Sequence, residues 1–128
     1  MLTLNDFIRF PTAFKDREKL VDKIRLLSII PKKTEYGIEV KSRTDKYEQI
    51  IEIYDNKINL KSSVKVTCNC ESFKFEFANA VFKAGSLINA IAFLRSIIKR
   101  PKEKNEFNIP SGCKHIIALA RACLKIKI

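Results

Sequence analysis

The sequence predicts an α+β fold, a small antiparallel sheet combined with an N-terminal helix and a C-terminal helical part. Apolar and polar residues alternate in β-branched runs at 36–41, 48–54 and 63–70, which is typical of strands. The flanking segments repeat apolar residues every three or four positions, as amphipathic helices do. The chain has 128 residues, of which 46% are hydrophobic, so we expect one domain with its own core.

An N-terminal helix is expected before the first strand. A capping residue, an apolar repeat and a terminating proline define it: Thr12, then Leu20, Ile24 and Leu27, then Pro31. We therefore divide the chain into an N-terminal helical segment, residues 1–31, that packs on the domain, and a domain of residues 32–128.

The sheet is predicted from three strands in sequence, with a possible short fourth strand at 57–60 before the run at 63–70. Beyond it, the phenylalanines of the 73–77 stretch could continue a strand but fit a helical period better over a longer window. We therefore expect them in the core, with a base-stacking platform as the alternative. Two helices are predicted, 72–84 and 87–98, with Gly85 as the C′ residue of the first and Ser86 as the N-cap of the second. A last helix is predicted at 116–124.

Three of the four cysteines and the only histidine form two closely spaced pairs, Cys68-Asn-Cys70 and Cys113-Lys-His115. Tetrahedral Zn²⁺ sites are built from such ligands. Residues i and i+2 of a strand share a face, so the first pair can converge on one ion. The second pair stands where a loop with Pro, Ser and Gly enters the last helix, where free N–H groups and the helix dipole favour anionic ligands. The spacing therefore predicts one structural zinc ion held by Cys68, Cys70, Cys113 and His115.

Other interpretations of the cysteines remain open, namely buried core thiols, disulfides of a secreted protein, or a catalytic thiol. Disulfides are disfavoured because a Cys-x-Cys pair bridges itself with difficulty and the sequence has no secretory signal pattern. Cys123 lies at helical spacing from Ile116 and Ala120, so we expect it to be a core residue.

The order of Cys-x-Cys, connection and Cys-x-His resembles the SWIM-type zinc finger over residues 36–124. The resemblance implies that the four residues named above bind zinc. The spacer of residues 71–112 is longer than in most SWIM fingers. With its Phe-Lys-Phe-Glu-Phe start and Pro-Ser-Gly-Cys-Lys-His end, it is similar to a variant in virion-associated proteins of tailed bacteriophages, which implies a protein partner within a virion.

Charge is distributed unevenly along the chain, whose net charge is +11. Residues 1–62 carry 13 Lys/Arg against 10 Asp/Glu, whereas residues 63–128 carry 12 against 4. Such a basic half favours nucleic acid or an acidic protein surface. The candidate contacts are basic residues of one loop and of the second ligand pair: Lys99, Arg100, Lys102, Lys104 and Lys114. We expect Lys114 to be exposed. For the loop, a merely solvated role is the favoured interpretation, because charge runs usually keep a surface soluble, and a contact with phosphate or an acidic partner is the alternative.

The ligand pattern favours a non-enzymatic zinc-binding module, and the resemblance implies that it docks on other proteins of a larger assembly, such as a phage virion. The alternative is a DNA- or RNA-binding zinc finger without sequence preference. A histidine that binds zinc cannot act as a general base, and four protein ligands leave no position for water. No apolar run is long enough to span a membrane, and reduced cysteines suggest the cytoplasm or a virion interior.

Overall fold

The computed structural model describes residues 1–95, 105 and 107–127 and confirms the α+β class. At its centre is a four-stranded antiparallel sheet with the strands in chain order. The strands are β1, Ser28–Lys33; β2, Ile38–Arg43; β3, Glu48–Tyr54; and β4, Ser63–Cys68. Three of the predicted strands are thus present, and residues 57–60, the possible short strand, lie in the loop between β3 and β4.

One face of the sheet carries the core. Side chains of β3 and β4 alternate between buried and half-buried positions, so that Ile51, Ile53, Val64 and Val66 are all fully buried on the same face. The last helix, α4 (Lys114–Cys123), packs across β3 and β4 on this face. It corresponds to the helix predicted at 116–124 and brings its first residues to the end of β4.

The helix predicted at 72–84 is present as a π-helical turn, Phe73–Phe77, that continues into α2, Ala78–Lys83. Gly85 is its C′ residue, as predicted, with φ of 77°. The Gly85 N–H donates to the carbonyl of Phe82 (2.9 Å) and the Ser86 N–H to that of Val81 (3.0 Å), which is the Schellman pattern.

The prediction of Ser86 as an N-cap is wrong. Its buried hydroxyl instead accepts a hydrogen bond of 2.6 Å from the backbone N–H of Leu2 and so ties the N-terminus to the core. The following helix, α3, begins only at Ala90 and is described to Arg95. Residues 96–98 of the predicted helix lie outside the described residues.

The N-terminal helix is much shorter than predicted. Thr12–Arg17 is 3-10 helical and α1 spans only Glu18–Val21. The prediction that the helix runs on to Pro31 is wrong, because residues 28–33 form β1 at the edge of the sheet. Thr34 and Gly37 exchange two backbone hydrogen bonds (2.8 and 3.3 Å) at the turn between β1 and β2. In an antiparallel pair every second residue repeats this arrangement, so the even-numbered residues of β1 direct their N–H groups to β2. The nitrogen of Pro31 therefore faces the free edge, where its lack of a hydrogen is harmless.

The N-terminal segment packs on the rest of the chain. Its large apolar side chains are buried in the common core: Leu4, Phe7, Phe10, Phe14 and Val21. Arg121 of α4 donates from Nε to the carbonyl of Ile8 (2.7 Å) and from Nη2 to the carboxylate of Glu18 (2.7 Å). The division at residue 31 stays a prediction, and β1 runs across it. No helix in the described part of the chain has the length and apolar character needed to cross a bilayer.

Candidate metal centre

The structure brings Cys68, Cys70, Cys113 and His115 together in one buried group. Their ligand atoms all lie within 4.8 Å of one another. Nδ1 of His115 is 3.9 Å from the sulfur of Cys68 and 3.8 Å from that of Cys113. Four side chains from two distant segments therefore point at a single volume.

The distances from Nδ1 of His115 to the two sulfurs are close to those expected around a tetrahedral zinc ion. With bonds of about 2.3 Å to sulfur and about 2.0 Å to nitrogen, ligand atoms at tetrahedral angles are separated by roughly 3.5–3.8 Å. The donor set of three sulfurs and one imidazole nitrogen is one that zinc prefers in structural sites. The group could hold one zinc ion.

The first pair is positioned by the end of β4. Cys68 is the last residue of the strand and faces the core. Asn69, the next residue, makes two hydrogen bonds with the backbone of Glu48. Its Oδ1 accepts from the Glu48 N–H (2.8 Å), and the Asn69 N–H donates to the Glu48 carbonyl (3.4 Å). Cys70 lies beyond the strand and accepts the Phe73 N–H at its sulfur (3.4 Å). The two cysteines converge as expected, although the strand ends two residues earlier than predicted.

The second pair stands at the start of α4, as predicted. Cys113 is the N-cap residue with extended backbone (φ −74°, ψ 174°), and its carbonyl accepts the Ile117 N–H (3.0 Å). This break in helical geometry lets residues 113 and 115 face the same point, which two residues of a regular helix could not. Gly112 allows the approach, since a Cβ there would lie 2.6 Å from Cγ2 of Ile116.

A buried polar chain supports the first ligand. Gln49 is fully buried on the core face of β3 and directs its amide nitrogen at the sulfur of Cys68 (3.8 Å). Its Oε1 accepts a hydrogen bond of 2.7 Å from the hydroxyl of Ser42 on β2. Such outer contacts orient metal ligands. Sequence reasoning missed Gln49, whose only signal is a polar residue at an inward position of an otherwise apolar strand face.

The thiols influence one another strongly. Hydrogen bonds with Cys113 and Cys68 hold the pKa of Cys70 far below its usual range. Burial raises the pKa of Cys113 well above it. The hydrogen bond with Cys113 lowers the pKa of Cys68, but the hydrogen bond with Cys70 and burial outweigh it and raise that pKa to about 12. Three negative charges so close together in a buried site repel one another, and a bound cation would make three thiolates compatible.

The remaining candidates differ in their placement. Lys114 is half-buried rather than exposed as predicted. Four predicted contact residues, Lys99, Arg100, Lys102 and Lys104, lie outside the described residues. Cys123 is fully buried in the core, as predicted, and burial raises the pKa of its thiol to about 12.

No protein-family model, no curated protein and no solved structure matches this chain. The resemblance to SWIM fingers and to phage proteins thus stays a prediction based on the motif and its spacing.

Proposed function

We propose that the chain is a non-enzymatic interaction module in which a single zinc ion has a structural role. The observation that carries this proposal is the closed donor set, because all four candidate ligands are buried. Structural zinc sites use four protein ligands, whereas catalytic sites keep one position for water or substrate. The only histidine of the chain belongs to the site and is 7% exposed, so it is not available as a general base.

The favoured partner is another protein of a larger assembly, in the cytoplasm or in a virion such as that of a tailed phage. The motif resemblance supports this setting, and a surface groove of 560 Å³ between β1 and α4 supports protein docking. Its walls are largely apolar, with Ile29 and Pro31 on one side and Ala118, Ala122 and Ile126 on the other. Pro31 removes a donor from the free edge of β1, so the groove suits a partner's apolar helix better than an added strand.

A charge placed in the groove should therefore release the chain from its assembly. Ile29 is 39% exposed, and Ile29→Arg places a charge on the groove wall. On a sucrose gradient of native extract, the variant is expected to move from the heavy fraction, which contains the assembly, to the light fraction of free protein. Leu60→Arg is the matched control, since Leu60 is 42% exposed and does not line the groove. Unchanged zinc content and melting would show that both variants fold. Co-migration of both variants with the heavy fraction, or a wild-type protein found only free, would contradict the docking role.

The net charge of +11 favours a second candidate function, binding of DNA or RNA through phosphates without base recognition. Such a complex is expected to weaken steeply between about 50 and 200 mM salt, because each neutralised phosphate releases counterions. A gel-shift titration at several salt concentrations measures this. Absence of any shift at the lowest salt would remove the candidate.

A further inference from the structure

A second cavity, of 360 Å³, opens beside the metal centre. It lies between residues 23–27 and the turn that joins β2 to β3, and the imidazole of His115 forms part of its wall. Its volume is near the lower end of small-ligand sites, which span roughly 300–1,000 Å³.

The cavity is cationic. Lys23, Arg25 and Lys46 line it together with a single carboxylate, that of Asp45. All three cations are exposed, and within the described ranges none of them has an ion-pair partner. Three basic groups around one concavity attract an anionic ligand.

An aromatic ring lies in the same wall. Tyr47 is half-buried and packs against His115, with ring centroids 5.3 Å apart and planes at 54°. An aromatic surface next to basic groups is the combination that proteins use for an unstacked base and its phosphate. An acidic peptide would satisfy the cations but would not use the ring.

We propose that this cavity binds one nucleotide of a single-stranded nucleic acid, with the base against Tyr47 and the flanking phosphates at Lys23, Arg25 and Lys46. The inference deepens the nucleic-acid candidate function and rests on it. It excludes duplex as the preferred ligand, because a paired and stacked base cannot enter the cavity.

The test is fluorescence anisotropy of the zinc-loaded full chain with labelled oligo(dT) or oligo(U) of about 12 nucleotides, at salt concentrations from about 50 to 200 mM. The site variant carries Lys23→Gln, Arg25→Gln and Lys46→Gln. The matched control carries Lys33→Gln, Lys57→Gln and Lys61→Gln, three exposed lysines at the opposite end of the sheet. Both variants lower the net charge by three, from +11 to +8.

The site variant is expected to bind the oligonucleotide at least about tenfold more weakly. Its plot of log K against log salt concentration should be shallower by about 2, because three phosphate contacts are lost, while the control changes little. Tyr47→Leu should weaken binding about tenfold, and Tyr47→Phe should retain it. The dT and U arms distinguish DNA from RNA as the source of the strand. Zinc content and melting are measured for every variant.

Equal weakening by the two triple variants would assign the binding to diffuse charge and overturn the proposal. A preference for duplex would also overturn it. So would a preference for poly-glutamate over the oligonucleotides, if the site variant loses its poly-glutamate binding. If the wild type binds neither single strands nor duplex, both this proposal and the nucleic-acid candidate are removed. If it binds duplex but shows no preference for single strands, this proposal alone is removed.

Discussion

Cys113→Ala is expected to leave the chain unfolded at room temperature. The substitution removes one of four ligands at the point where α4 meets the end of β4. Structural zinc in small domains contributes on the order of 10–16 kcal/mol, which matches or exceeds the whole stability of about 5–15 kcal/mol of a typical domain. We expect loss of bound zinc by elemental analysis and loss of the cooperative transition in a circular-dichroism melt.

Cys123→Ala is the matched control, because Cys123 is a buried thiol on the same helix but does not belong to the ligand group. Its loss leaves only a small cavity, at a cost of about 1 kcal/mol. A chelator should abolish the cooperative melting transition of the wild type and of the control variant alike. If Cys113→Ala melts as Cys123→Ala does, or if the chelator has no effect on melting, the structural role of zinc is wrong.

The ligand group could be predicted because its information is local. The four ligands form two pairs at i and i+2, one at the end of a β-branched run and one after Pro-Ser-Gly. A shared metal ion is the simplest explanation of such spacing. Strand β3 and the helical run that ends at Gly85 were predictable for the same reason, since each has a clear period and a clear terminator.

The edge strand β1 could not be predicted in this way. Leu20, Ile24 and Leu27 repeat at helical spacing, and Pro31 is a common helix terminator, so local signals favour a longer helix. The segment forms a strand instead, because pairing with β2 provides hydrogen-bond partners for its backbone and leaves the nitrogen of Pro31 at the free edge. Tertiary pairing here outweighs a weak local preference.

The surroundings of the metal centre also depend on distant contacts. Gln49 is 19 residues from the sulfur that it contacts, and Tyr47 is 68 residues from the imidazole against which it packs. Neither residue belongs to a motif. Both reach the site only because β3 pairs with β4 and α4 lies across them.

Phe77→Ala is expected to destabilise the protein by about 3–5 kcal/mol, as for other buried phenylalanines. Phe77 is fully buried in the π-helical turn and contacts two rings of the N-terminal segment, Phe14 edge to face at 5.3 Å and Phe10 at 6.4 Å. Arg17 lies over its ring at 5.9 Å and pairs with Glu76 at 2.9 Å. Truncation therefore removes one of the contacts that join the N-terminal segment to the helices, and zinc-loaded protein should melt about 10–20 °C lower.

Phe82→Ala provides the comparison within the same helical run, because Phe82 is 43% exposed and its loss should cost about 1 kcal/mol or less. Limited proteolysis adds a readout that a general loss of stability does not give. If the residues before β1, 1–27, are held mainly by Phe77, the Phe77→Ala chain should be cut there while the metal-bound remainder stays intact. Equal melting of the two variants, or cleavage spread evenly along the Phe77→Ala chain, would mean that the N-terminal segment is held chiefly by its other contacts, among them those of Arg121.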